Sequence, residues 1–427
     1  VILTPHIKIT IKKQQGTTMD SIKIRLSSMM FLQFFIWGGW FVTLGTFLAQ
    51  NLNADGPQTG MAFSTQSWGA IIAPFIIGLI ADRYVNAERL LGVLHLVGAV
   101  LMYLMYQATD FTTFYPLVLG YMLAYMPTLA LVNSVSFGQL KQPEAEFGQI
   151  RVWGTVGWIA AGLVISYLFG WDAQTAIAAG MLKNTFLMCA IASLALGLYS
   201  FTLPATPPAG KGSELKLGQL LGLDALAMLK DRNFALFFLS SILICIPLAF
   251  YYQNANPFLT AVGVENATGK MTLGQVSEVL FMLALPVFLN RFGIRITLLL
   301  GMAAWVLRYV LFAYGDAGSG IWLLLIGIAL HGICYDFFFV SGQIYTNSKA
   351  GITYKSAAQG LITLATYGIG MLIGFSVAGQ VTAAYTTASG QDWQQIWLFP
   401  AIFAAVVLVL FALIFKNESV ADSEKSV

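Results

Sequence analysis

GLIADRYVNAERLL (78–91) and LPVFLNRFGIRITLL (285–299) are the two stretches on which the reading of this chain turns. Each puts a few polar residues between two long apolar runs: Gly78, Asp82 and Arg83 in the first, Asn290, Arg291, Gly293 and Arg295 in the second. A helix needs roughly 20 apolar residues to cross the hydrocarbon core of a bilayer. A short basic stretch between two such runs therefore reads as a tight turn joining two membrane helices. Asp82 and Asn290 stand 208 residues apart, about half of the 427-residue chain. The spacing predicts two related halves, an arrangement common among membrane transporters.

Outward from these turns the apolar runs predict helices at 26–49, 63–82, 89–107, 112–137, 149–171 and 183–203. A second set follows at 233–256, 270–289, 295–314, 320–347, 356–384 and 394–416. The expected fold is thus an all-α integral membrane protein with twelve transmembrane helices in two pseudo-symmetric six-helix bundles, 19–203 and 233–416. Between them, 204–232 reads as a linker: Pro204, Pro207, Pro208, Gly210 and Gly212 oppose regular structure, and LLGLDALAMLK (220–230) reads as a short amphipathic helix on the membrane surface. Residues 1–18 are polar and basic and lack the apolar core of a signal peptide; with MDSIKIRL beginning at Met19, they read as a non-native or upstream extension. Residues 417–427 form a polar tail.

Positive charge orients the helices. With the N-terminus inside, all of the 22 Lys and Arg residues except Arg151, Lys183, Lys270 and Arg308 fall in inner segments, so both termini are expected in the cytoplasm. The chain is 58% hydrophobic and 10% charged, with a net charge of +3 and no basic cluster interleaved with aromatics. Nucleic acid is therefore not an expected partner. Cys189, Cys245 and Cys334 each lie in an apolar run without metal-ligand spacing, so no zinc site or disulfide framework is expected. The chain has no GxxxxGK[ST] phosphate loop, HExxH or GxSxG elbow. An enzyme is not expected, nor is a cofactor, and uphill transport would have to draw on an ion gradient. One elementary charge moving through 100 mV supplies about 2.3 kcal/mol.

Charged residues in the expected helix middles are few: Glu278 and Asp336, with Arg151 and Arg308 as the basic pair. At the bilayer centre such a side chain costs about 2.5–3.5 kcal/mol on insertion scales and usually faces a bundle interior or a cavity. Gln275 and Glu278 share a helix face. Arg151, Thr155 and Trp158, at i, i+4 and i+7, share another and suit a polar, ring-bearing solute. His331 lies one turn before Tyr335, which precedes Asp336. Burial favours the neutral form of a carboxyl group and a nearby arginine the charged form, so Glu278 or Asp336 is a candidate proton carrier. The competing reading is a static arginine–carboxylate pair. Arg308 is equally readable as structural, His95 as a satisfied core histidine, and Trp37, Trp40 and Phe41 as packing residues rather than cavity lining.

FLQFFIWGGWFVTLG (31–45), AYMPTLALVNSVSF (124–137), IRVWGTVGW (150–158), QVSEVLF (275–281), AWVLRYVLFAYGD (304–316), YDFFFVSG (335–342), SAAQG (356–360) and DWQQIW (392–397) together resemble the bacterial nucleoside:proton symporters of the major facilitator superfamily. The 78–91 turn is similar to that superfamily's loop motif. The resemblance implies a proton-driven nucleoside importer of the bacterial inner membrane, working by alternating access. Its partners would be a nucleoside, a proton and the lipid bilayer, and by analogy with the fold it would be a monomer. It implies substrate contacts at Arg151, Thr155, Gln275 and Glu278, with Trp158, Tyr252, His331 and Tyr335 at neighbouring positions. Asp336 or Glu278 would couple the proton, and Asp82, Arg83 and Arg291 would gate the cytoplasmic side. The chain departs from the pattern where a glutamine and an asparagine of the family align with Ala249 and Tyr252, and where His331 stands for a tyrosine; Gln253 or Asn254 is the expected compensation. A symporter of a sugar or other hydroxylated solute, and a transporter-like receptor, remain as alternatives.

Overall fold

The computed structural model describes residues 10–81, 83–208 and 223–416. Among these, nine helices are long and apolar enough to cross a membrane. The longest, Ala267–Tyr314, is two legs in one: Gly293 at φ 71°, ψ 176° breaks it within the second basic turn. That backbone angle lies where a Cβ is disfavoured. The helices Thr10–Gly38 and Gly56–Ile76 fill the positions expected for the first two spans. Gln33 and the Ser64–Thr65–Gln66–Ser67 run place polar side chains within them.

Side-chain caps start several of the helices. Asp55 accepts from the Gln58 N–H at 2.8 Å while Gln58 Oε1 accepts from the Asp55 N–H at 3.0 Å, a reciprocal capping box. Asp110, Asp231 and Asp392 cap Phe111–Gln139, Arg232–Ala261 and Trp393–Ile414 in the same position. The Thr113 N–H and hydroxyl hold the Asp110 carboxyl below its usual range.

The first span is not one helix. It stops at Gly38 and resumes at Leu44, and the five residues between include Trp40 and Phe41. Further π-helical turns occur at Ile77–Ala81, Val164–Leu168, Asp336–Val340 and Leu364–Gly370. Irregular backbone at membrane depth is tolerated where it is packed in protein or lines a cavity.

The two halves meet at one end of the bundle, opposite the Arg83 and Arg291 turns. There Gly56–Ile76 and Met371–Ala384 approach so closely that a Cβ on Gly379 would lie 2.6 Å from the Gly56 carbonyl oxygen. Small residues are the usual means of such close helix contact. Polar bonds cross the same seam: Thr46 Oγ1 donates to Asn256 Oδ1 (2.6 Å), Gln174 Nε2 to the Thr260 carbonyl (2.6 Å), and the Gly269 N–H to Ser166 Oγ (2.7 Å).

The segment after the sixth span is tied back to the first basic turn. Glu88 accepts from the Thr206 N–H at 2.8 Å, and the Ala87 N–H donates to the Thr206 carbonyl at 3.0 Å. Of the expected surface helix, residues 223–230 form a 3₁₀ segment whose Ala225 is buried against Ala350, Ala358 and Leu361. Residues 1–9, 209–222 and 417–427 lie outside the described residues.

Candidate functional site

The eight residues singled out as solute contacts converge on one cavity between the halves. Arg151, Thr155 and Trp158 form one wall from Pro143–Leu163, and Gln275 and Glu278 the facing wall from Ala267–Tyr314. Tyr252, His331 and Tyr335 complete it from Arg232–Ala261 and His331–Tyr335.

The walls carry aromatic plates. Trp37 meets Trp158 edge-on with centroids 5.7 Å apart, and Phe41 meets Tyr252 likewise at 5.7 Å. Tyr335 and Tyr367 share a hydroxyl contact of 2.5 Å. The Arg151 guanidinium lies over the Phe34 ring, 4.2 Å from its centroid. Among the described residues Arg151 makes no ion pair, so its planar donor fork is open to an acceptor in the cavity.

Neither carboxylate in the helix interiors is held by an arginine. Among the described residues no arginine lies within ion-pair distance of Glu278, and His331 Nε2 is 3.9 Å from its Oε2. Asp336 is fully buried, and both its carboxylate oxygens lack a hydrogen-bond partner. Among the described residues, then, no arginine–carboxylate ion pair locks these helix interiors together. Asp336 opens the π-helical turn Asp336–Val340, directly after the cavity residue Tyr335. Extra turns of this kind are frequent at functional sites.

Arg308 is buried too, but its neighbours are Tyr251 and His331. The guanidinium carbon is 3.4 Å from the Tyr251 ring centroid, and Nη1 is 3.1 Å from His331 Nδ1. His95 is a satisfied core histidine, with Nε2 2.8 Å from Gln33 Oε1 and Nδ1 3.1 Å from Ser193 Oγ.

Several expectations need correcting. Trp37 and Phe41 line the cavity, whereas Trp40 is fully buried against Tyr121 and Phe186. Gln253 and Asn254 do not supply the amides missing at Ala249 and Tyr252. They face a separate pocket at the joined end of the halves, where Asn254 donates to Thr382 Oγ1 at 3.0 Å. Ala249 is fully buried, beside Gly374. Gln66 and Tyr367 line the cavity and were missed; Gln66 Oε1 is buried without a partner. The signal for Gln66 was present, since a glutamine in the middle of an otherwise membrane-length helix needs a reason.

At the first basic turn Arg83 is half-buried, and Asp82 lies outside the described residues. At the second, Arg291 stacks on Phe292 at 5.5 Å. Among the described residues, no ion pair joins Arg83 to Arg291's turn. On that side the cavity continues into a vestibule lined by Ala70, Pro74, Ile77, Met126, Asn133 and Thr363, sharing Arg151, Tyr335 and Tyr367 with the central site. No group of three His, Cys, Asp or Glu side chains that could hold a metal occurs among the described residues.

Two helical halves closed at one end, with a polar, aromatic-lined cavity between them open toward the other, define a membrane transporter of the major facilitator fold. The chain belongs to the nucleoside H⁺ symporter family, which it matches over residues 19–420. It is 44% identical over 401 residues to the putative nucleoside transporter YegT of Escherichia coli K12, covering 92% of this chain and 93% of that one. It is 37% identical over 422 residues to the xanthosine permease of the same organism, covering 95% and 98%. A crystal structure of the nucleoside transporter NupG, at 32% identity, superposes with a TM-score of 0.83 over 93% of this chain and all of that one. A bacterial homologue of the human lysosomal transporter Spinster, at 12% identity, shares the fold with a TM-score of 0.68 over 95% of this chain and 97% of that one.

Proposed function

We propose that the protein is a proton-coupled nucleoside importer of the bacterial inner membrane, monomeric, with both termini and the 204–232 linker in the cytoplasm. The observation that carries this reading is the cavity between the halves. Aromatic faces at Trp37, Trp158, Tyr252 and Tyr335 suit a nucleobase, which can stack on them. Arg151, Thr155, Gln275, Glu278 and His331 suit the donors and acceptors of its edge and of a ribose.

Transport proceeds by rocking of the two halves about this site. With the basic turns inside, the state described here faces the cytoplasm. The closed seam at Gly56–Gly379 and Thr46–Asn256 is the outer gate. Asp82, Arg83 and Arg291 close the inner side in the opposite state.

Asp336 is the proton carrier. Its unpartnered carboxyl sits one residue from the cavity wall. An ionised carboxylate in such a place needs water or a cation, and a protonated one does not. Loading a proton at Asp336 thus goes with closing that environment and releasing it with opening. Glu278, exposed to the cavity, binds solute.

The test is uptake of labelled uridine and adenosine into liposomes with and without an inward proton gradient, each competed by unlabelled nucleosides and by sugars. Gradient-driven accumulation displaced by nucleosides supports the reading. Accumulation displaced only by sugars replaces the substrate class, and binding without accumulation replaces transport by sensing.

A further inference from the structure

We infer that Arg308 fixes His331 as its Nε2–H tautomer, and that this N–H and the Glu278 carboxylate together bind a single hydroxyl group of the solute. The inference rests on the nucleoside reading above and names which part of the solute this corner of the cavity reads.

The first step is a matter of donors. A guanidinium has only donors and stays charged, so the ring nitrogen facing it must accept. Arg308 Nη1 lies 3.1 Å from His331 Nδ1. The single ring proton is therefore on Nε2, the nitrogen that faces the cavity. The imidazole has little freedom to turn away from this arrangement. Tyr251 stacks on it at 5.3 Å and 25°, and Tyr335 at 6.0 Å and 28°. Tyr251 also carries Arg308 on its ring, so one phenol orients both partners.

The second step is a distance. Nε2 and Glu278 Oε2 are 3.9 Å apart. That is too long for a hydrogen bond between them. An oxygen about 2.8 Å from each atom fits the gap, at an angle near a right angle. The bridging atom must accept from the Nε2–H and donate to a carboxylate. A hydroxyl does both; a carbonyl only accepts and an amide N–H only donates. A sugar hydroxyl meets the requirement, and a base edge does not meet it with one atom.

The third step is registration. Ser277, beside Glu278, donates to the Ala329 carbonyl and accepts from the Gly332 N–H at 3.0 Å. These groups flank the break at Leu330 from which His331 projects. One hydroxyl thus locks the helix bearing Glu278 to the turn bearing His331, and the 3.9 Å gap is a fixed dimension of this half. Arg308 touches no solute; it is a positioning residue.

Two measurements on the purified full-length protein test this. The chain has three histidines, so ¹⁵N-histidine NMR is tractable, and the His331 signal is assigned by its loss in His331→Phe. The expected result is the Nε2–H tautomer in the wild type and in Arg308→Lys, which keeps a donor, and a mixture in Arg308→Met. The Nδ1–H tautomer in the wild type would overturn the inference. The second measurement is equilibrium binding of uridine and its 2′-, 3′- and 5′-deoxy analogues. One analogue is expected to bind about tenfold to a hundredfold more weakly than uridine, and His331→Phe should shrink that gap to within about threefold. If uridine binds and the gap is the same in wild type and His331→Phe, or no analogue is discriminated, the inference falls and the nucleoside reading stands. If no nucleoside binds, both fall.

Discussion

The carboxylate of Asp172, in the N-terminal half, accepts a hydrogen bond from the Thr268 backbone N–H at 3.0 Å, in the first turn of the helix that carries Glu278. Ser166 adds to the contact, donating to Asp172 at 2.5 Å while accepting from the Gly269 N–H. The first N–H groups of a helix have no intrahelical partners, and its dipole favours an anion there. Asp172 is thus a cap supplied to one half of the molecule by the other.

This cap exists only while that end is closed, so removing it should favour the state in which it is open. Asp172→Ala is expected to shift the equilibrium by about 0.5–2 kcal/mol, the usual worth of an N-cap. Spin labels placed across the seam would report it as longer distances by electron–electron resonance. An unchanged distance distribution would show that the cap holds nothing.

Asp336→Asn should abolish proton-driven accumulation while preserving exchange of preloaded solute, since the amide cannot carry a proton but leaves the cavity wall in place. Counterflow and gradient-driven uptake in the same liposomes separate the two. Equal loss of both would assign Asp336 to structure.

Trp158 stands against Gly38, where a Cβ would lie 2.8 Å from the indole. Gly38→Ala should therefore push the indole toward the cavity and weaken solute binding about tenfold or more. Trp158→Phe, which keeps a ring but vacates space, should lose less, since stacking on an aromatic contributes roughly 1–3 kcal/mol per base. Double substitution should then recover part of the Gly38→Ala loss in a binding isotherm.

Asp231, ahead of its span, is drawn two ways: burial raises its carboxyl, and the Phe234 N–H and Lys349, 3.2 Å away, outweigh this and hold it below the usual range. A depressed carboxylate contributes stability above its unfolded pKa, and that contribution is lost as pH falls through the folded value. Asp231→Asn should thus lower the Tm at neutral pH; the difference should begin to shrink only as the pH falls below about 4, the reference carboxylate value, and close once the pH is below the lower folded value. A Tm difference that persists in acid would point to packing instead.

The helices were legible because membrane length is written in apolar runs, and the paired turns were legible because Asp82–Arg83 and Asn290–Arg291 interrupt them. The eight cavity residues were found through helical spacing and family resemblance. What escaped was set by breaks in that spacing. Gly38–Leu44 interrupts the first span, and its run of apolar aromatics does not say that Phe41 reaches the cavity while Trp40 packs against Tyr121 and Phe186. The π-helical turn at Leu364–Gly370 similarly carries Tyr367 to the cavity. Gln253 and Asn254 were misplaced because Arg232–Ala261 is buried on nearly every face, and its sequence does not say which cavity each polar residue meets. Arg308 was readable as a rare charge, but its partner, a histidine and not a carboxylate, depends on the break at Leu330.

The Ser277 contacts make Gln275, Glu278, His331 and Tyr335 parts of one rigid jaw. Arg151, Thr155 and Trp158 belong to the other. In the rocking proposed above, a solute held by the first jaw would keep those contacts while the second closes on it or lets go. Mutations in the first jaw should then change how tightly a solute is held from either side of the membrane alike. Mutations in the second should make the affinities measured from the two sides differ.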